Sequence, residues 1–395
     1  MNVYGLKEFA NKVPELLRKK TRNKKNPEKW SWVPAKPDKI KNILKYRTRE
    51  TKAVNYACMS NYRPTDKKQN IVLLFAMGNL SYSLVSHLEE NKLSYFFLDY
   101  PQFVVKGSVT VSTNDGRMSK ILQMEDLRLN LDDVKVVLWN PPKYPYPFTD
   151  SDMIPRTSRR NKFLHRKRWA QFLRELSGLL PEDVTWVPGN PFNGSQEWQN
   201  KISEYLIAHE CGLQVPPFIF TNKRKELSKF SEQQGTRLLL REFASPPYSF
   251  PPVNINTQHV PEELLKTSPC FFQKYIEKEY EFRVVVLFDK IFPCKIYSQD
   301  SELAREDWRV YDDARVKWEL TTLPEEVCAK IIQIREKLGL LWCSIDLIYS
   351  KDGNYYYLET NRPGAHYWLE LFVGLDIGKE IALVLKEKKL SDTLT

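Results

Sequence analysis

The spacing of hydrophobic and polar positions changes abruptly near residue 70. Upstream, the pattern predicts one helix over 5–20 with Pro14 at an early turn or kink. The following TRNKKNPEK is too polar to pack. Downstream, Ile71–Met77 is a continuous apolar run of the kind that forms a buried strand. Gly78-Asn79, the helical stretch SLVSHLEENK and a second apolar run, SYFFLDY, complete a β-α-β unit with a parallel sheet. FVVKGSVTVSTNDGRMSKILQM predicts antiparallel strands with a tight turn at Asp115-Gly116, and VKVVLWNPP a further buried strand ended by prolines.

Residues 158–178 repeat apolar positions near every 3.6 residues, predicting a basic amphipathic connecting helix. SQEWQNKISEYLIAHECGL reads as a capped helix stopped by Gly212, followed by the strand VPPFIFTN. From there to Tyr297 strands are expected, with a short turn at Asp289-Lys290. LPEEVCAKIIQIREKLGL predicts a helix ending at Gly339, and GLDIGKEIALVLKEK a last one. Gly78 lacks both GxGxxG and GKS/T surroundings, so it marks no phosphate loop by itself.

Composition narrows the class. A chain of 395 residues corresponds to roughly two to three domains, and 42% hydrophobic with 13% aromatic content excludes a disordered scaffold. The net charge of +11 is concentrated: residues 1–70 carry +13 and residues 71–395 carry −2. The basic extension is therefore either a solvated arm or a docking surface for an acidic partner or nucleic acid. No apolar run nears the ~20 residues of a spanning helix, and MNVYGLKEFANKV has no signal-peptide core, so no membrane partner is expected. Cys58, Cys211, Cys270, Cys294, Cys328 and Cys343 show no CxxC or Cys/His ligand spacing, which predicts reduced thiols and a cytoplasmic protein.

The most informative stretch is CSIDLIYSKDGNYYYLETN, two apolar runs around Asp352-Gly353. With a two-residue turn, Lys351 faces Asn354 and Asp346 lies directly opposite Glu359. Asn361, two residues on, shares the face of Glu359. Two facing carboxylates, about 5 Å apart at Cβ, repel unless something positive lies between them. With an amide oxygen they form an oxygen-only set suited to Mg²⁺. The competing reading is a solvated acidic face on an edge hairpin. Arg283 and Lys295, on neighbouring strands, aim positive charge at phosphates beside the metal, and Gln273 and Tyr275 share a face that can meet a base edge.

These residues carry a resemblance. FFQKYIEKEYEFRVVVLFDKIFPCKIYSQ, then DWRVYD, then LGLLWCSIDLIYSKDGNYYYLETNRPG, resemble the ATP-grasp fold and, more narrowly, the microviridin-type peptide maturases, or graspetide synthetases. The likeness covers about residues 70–388. It implies an α/β (α+β) ATP-grasp chain in four parts: a basic N-terminal extension (1–69), a pre-ATP-grasp α/β domain (70–190), a central lid (191–265) and a C-terminal subdomain with the metal (266–395). It implies Mg²⁺ on Asp346, Glu359 and Asn361, and ATP held by Lys201, Arg241, Gln273, Lys274, Tyr275, Ile276 and Glu277. Arg283, Lys295 and Arg309 would face the transferred phosphoryl group or the peptide carboxylate.

The implied activity is phosphorylation of Asp or Glu side chains of a ribosomal precursor peptide, a leader plus an acidic core. Ester or amide rings to Ser, Thr or Lys then close. A homodimer is compatible with this; nucleic acid is not an expected partner. Two departures keep alternatives open. Arg241 stands where the family has a lysine, and ASPPYSFPPVNINTQ replaces a glycine-rich cover. The alternatives are a ligase for a free amino acid or amine, and a nucleotide- or peptide-binding module whose catalysis has decayed.

Overall fold

The computed structural model describes residues 18–23, 26–34, 58–60, 71–76, 79–99, 103, 107–124, 127–140, 159–190, 201–235, 238–241, 253–255, 260, 262–302, 304–305, 308, 316–362, 369 and 372–387. They fall into two compact units, 1–194 with 363–395, and 195–362.

In the first unit, β1 (Arg18–Asn23) and β2 (Asn26–Pro34) form an antiparallel pair. This corrects two expectations. Residues 18–20 are strand, not the end of a helix, and of the polar TRNKKNPEK the described residues 21–23 and 26–29 are strand too. Cross-strand pairing supplies backbone hydrogen bonds that polar side chains do not oppose; residues 5–17 lie outside the described ones. Next come β3 (Cys58–Ser60), β4 (Ile71–Ala76), α1 (Asn79–Glu90) and β5 (Ser94–Asp99). As expected, β4 and β5 are parallel neighbours joined by α1. β6 (Gly107–Asn114) and β7 (Arg117–Met124) close on Asp115-Gly116, both at positive φ, and β8 (Leu127–Asn130) completes that sheet. With β9 (Val134–Asn140), α2 (Arg159–Leu179) and β10 (Thr185–Val187), the main sheet runs β10-β9-β4-β5-β3. Its core joins Leu73, Phe96, Val137 and Trp186 to Leu173 and Leu176 of α2, the expected packed amphipathic helix.

The second unit starts with α3 (Lys201–Glu210) and β11 (Phe218–Thr221). Then come α4 (Arg224–Gln234), β12 (Leu238–Arg241), β13 (Val253–Ile255), α5 (Glu262–Thr267) and β14 (Cys270–Lys274). Strands dominate this stretch as expected, with α4 and α5 as two short helices among them. In RKELSKFSEQQ, Leu227 and Ser231 are buried and Phe230 packs beside them, the i, i+3, i+4 stripe of a short, otherwise charged helix. The four strands order as β11-β14-β12-β13, so Cys270–Lys274, although beyond residue 265, pairs with this smaller sheet.

β15 (Lys278–Leu287), β16 (Lys290–Ile296), β17 (Trp318–Leu320), α6 (Glu325–Lys337), β18 (Trp342–Ser350) and β19 (Tyr355–Asn361) follow. Their sheet runs β17-β16-β15-β18-β19, every neighbour antiparallel. The β15–β16 turn is Phe288-Asp289, one residue earlier than expected: Phe288 takes positive φ while its N–H reaches Leu341 O at 2.6 Å. α6 ends as expected at Gly339, whose φ of 63° only glycine adopts without strain. One sheet face carries Phe282, Val284, Ile345, Leu347 and Tyr357, packed with Val327, Ile331 and Ile334 of α6. The chain returns to the first unit with α7 (Ile377–Glu387), where His87 of α1 meets Asp376 at 2.9 Å. Among the described residues, no helix is long and apolar enough to cross a membrane.

Candidate active site

The face of the five-stranded sheet opposite α6 carries the candidate chemistry. Asp346 of β18 lies opposite Glu359 of β19, and Ser344 opposite Asn361. The pairing arises by a different route from the one expected. The turn closes with Ser350 facing Asn354, leaving three residues, Lys351–Gly353, in the loop. Lys351 donates its N–H to Glu277 O at 3.0 Å rather than to a cross-turn partner, and Gly353 sits at φ 81°. That register alone would set Asp346 against Leu358. A β-bulge between the pairs Leu347↔Tyr357 and Asp346↔Glu359 adds one residue and restores the match. The bulge also turns Glu359 away from the packed face of Tyr357 and onto the face of Asp346.

Asp346 is nearly buried and accepts from Arg283 Nη1 at 2.7 Å through Oδ1. Its Oδ2 accepts from Asn361 Nδ2 at 3.3 Å. Burial pushes its carboxyl up to about 6; Glu359 adds to the rise and Arg283 opposes it. Glu359 Oε2 accepts from Lys201 Nζ and Arg241 Nη2, each at 3.3 Å. Lys201 begins α3 and Arg241 ends β12, so both sheets and one helix end on this carboxylate. Burial and the nearby Arg241 lower the Lys201 pKa.

Gln273 is buried, and its Oε1 accepts from Tyr205 Oη at 2.9 Å and from Arg241 Nη1 at 3.4 Å. Lys274 donates its N–H to Pro217 O, Tyr275 is half-buried, Ile276 is buried and Glu277 is exposed. Lys295 is not brought to this face, which corrects its expected place beside Arg283. Lys295 pairs with Phe282, whereas Arg283 pairs with Cys294, so period two sets the two cations on opposite faces. Lys295 Nζ lies 3.6 Å from the centroid of the Tyr280 ring, a cation–π contact. Arg309 lies outside the described residues, as does most of 244–258; Val253–Ile255 forms β13 beside β12.

Sequence reasoning missed Glu204, Tyr205 and Arg362. Glu204 is buried three residues after Lys201, and Arg362 Nη2 lies 3.8 Å from its Oε1. The signal was the helical spacing from Lys201, which carries residues 204 and 205 toward the same neighbours.

The donor set fits Mg²⁺. One or two carboxylates are its usual protein ligands, and a dication would offset the repulsion between Glu359 and Asp346 that helps raise the Asp346 carboxyl.

No protein-family model matches the chain, and no curated protein is similar to it in sequence at a significant level. Solved structures do match. A RiPP-associated ATP-grasp ligase of Chryseobacterium gregarium, solved with ADP and a leader and core peptide, is 21% identical over 81% of this chain and 97% of that one, with a TM-score of 0.69. The macrocyclase MdnC of Microcystis aeruginosa, bound to precursor peptide MdnA, is 20% identical over 81% and 100%, with a TM-score of 0.67. The ATP-grasp ligase PsnB, with minimal precursor, Mg and ADP, is 16% identical over 83% and 99%, with a TM-score of 0.62. The chain thus has the fold of the ATP-grasp ligases. Within that class, the solved structures just named are all ligases or macrocyclases crystallised with peptides.

Proposed function

We propose that the chain is an ATP-dependent carboxylate ligase that modifies a ribosomally made precursor peptide. The observation that carries the reading is the convergence of Lys201 and Arg241 on Glu359, with Arg283 on Asp346, in a fold shared with peptide-bound ATP-grasp ligases.

In this reading Lys201 and Arg241 bind the nucleotide phosphates, and the arginine keeps the charge of the family lysine. Asp346, Glu359 and Asn361 would hold Mg²⁺, which would supply neutralising charge for the nucleotide phosphates. Arg283 offsets the charge that grows on the γ-phosphoryl group. A peptide Asp or Glu oxygen attacks the γ-phosphorus as the bond to ADP breaks. A peptide Ser or Thr hydroxyl, or a Lys amine, then adds to the acyl carbon; it loses its proton and phosphate departs, leaving an ester or amide ring. In this reading the chain need not supply a nucleophile, and burial pushes the Cys294 and Cys343 thiols up to about 12, far from thiolate. The +13 of residues 1–70 suits recruitment of an acidic leader in a reducing, cytoplasmic setting.

The test is mass spectrometry of a precursor-type peptide, a leader followed by a core containing Asp or Glu with Ser, Thr or Lys, after incubation with this protein, ATP and Mg²⁺. Loss of one water mass per ring is expected. Recovery of the peptide at unaltered mass contradicts the reading.

A further inference from the structure

β19 is the last strand of its sheet, so alternate backbone N–H groups point away from β18 and need other partners. Two such groups have them. Tyr357 N–H donates to Gln214 O at 2.8 Å, and Thr360 N–H donates to Glu204 Oε2 at 3.1 Å. They lie three residues apart, where an unbroken strand would space them by two or four. The odd spacing is the bulge: the extra residue, Leu358, moves the outward N–H from Glu359 to Thr360 and moves the Glu359 side chain to the face of Asp346.

Glu204 is built to hold that arrangement. It is 2% exposed, and its Oε2 also accepts from Tyr357 Oη at 3.0 Å. Tyr357 Oη and Thr360 Oγ1 are 2.7 Å apart, closing a ring of contacts around the bulge. A buried carboxylate is costly to keep charged, and burial does raise the pKa of Glu204 while Thr360 N–H opposes the rise. Lys201, one turn earlier on α3, grips the Glu359 side chain. The first turn of α3 therefore holds residue 359 by its side chain and residue 360 by its backbone.

We infer that Glu204 is a positioning residue: by accepting the Thr360 N–H it fixes the bulge at Leu358 and so aims Glu359 at the cation site. The metal part of this inference rests on the ligase reading; the bulge part does not. Without the acceptor, β19 relaxes toward the unbroken register, which sets Leu358 against Asp346 and turns Glu359 to the α6 face.

The test uses the full chain. Thermal stabilisation by Mg²⁺ with ADP is titrated against Mg²⁺ concentration for the wild type, Glu204→Gln and Glu204→Met. The Gln amide oxygen still accepts the Thr360 N–H, so its Mg²⁺ midpoint should stay within about twofold of wild type. Met offers only a weakly accepting thioether in place of the carboxylate, and its midpoint should rise by about 10–100-fold. A merely structural Glu204 would lower the melting temperature of the Met variant and leave its Mg²⁺ midpoint unmoved; that result overturns the inference. Amide hydrogen exchange on the metal-free wild type gives a second reading that needs neither variant nor nucleotide. Slow exchange at Thr360, comparable with the interior strands, is expected, whereas the rapid exchange of an open strand edge overturns the clamp. A wild type with protected Thr360 but no response to Mg²⁺ and ADP would instead count against the ligase reading.

Discussion

Burial and the charges of Glu359 and Glu281 favour the neutral acid of Asp346, and Arg283 favours its carboxylate. Its folded pKa of about 6 lies above the ordinary 3.8, so the metal-free folded chain holds this proton more tightly than the unfolded chain does. The stability associated with that proton is fully present below 3.8 and is lost as the pH rises through about 6. Mg²⁺ competes with the proton. Calorimetric titrations at two pH values should therefore show Mg²⁺ binding weakening as the pH falls through about 6, with proton release on binding near that pH. In Asp346→Asn both the pH dependence and the proton release should disappear; their persistence would assign the titration to another group. The shared face of Asp346, Glu359, Asn361 and Arg283 was legible because strand period and residue type set it. Glu204 was not, because a lone glutamate inside a helix looks like a solvated one until its neighbours are placed.

The hairpin of β18 and β19 teaches the same lesson at the level of the element. Sequence pattern located both strands and paired Asp346 with Glu359, yet the assumed two-residue turn is a three-residue one offset by a bulge. Two changes of one residue cancel. Neither was readable, because the turn is set by Lys351 reaching Glu277 and the bulge by contacts from α3, both tertiary. Lys295 shows where strand adjacency without register misleads: the neighbouring strand was right and the face was not. α4 was missed because its apolar stripe is short and its remaining positions are charged. The turn itself offers a clean test. A Cβ on Gly353 would meet only Tyr349 Oη at 3.8 Å, an ordinary contact, so substitution carries the backbone cost of positive φ alone. Gly353→Ala should cost about 1–2 kcal/mol in urea unfolding and leave the Mg²⁺ midpoint unchanged. No loss of stability would mean that the turn adopts another conformation.

At the scale of the molecule, the net charge is distributed unevenly along the chain. The excess positive charge lies in residues 1–70, while the near-neutral remainder contains the unit whose two sheets and α3 assemble the site. Within that unit the cations come from α3, β12 and β15 and the anions from β18 and β19, so the site exists only when the second unit is folded as a whole. The central claim is that this convergence turns over ATP on behalf of a peptide carboxylate. It is tested most directly by ADP release from the full chain with Mg²⁺ and ATP, with and without the acidic peptide, for the wild type and for Glu359→Gln. Peptide-dependent ADP release is expected from the wild type and none above background from Glu359→Gln, with the variant's unfolding transition retained. Undiminished release by a folded Glu359→Gln, or release by the wild type that ignores the peptide, would contradict that claim.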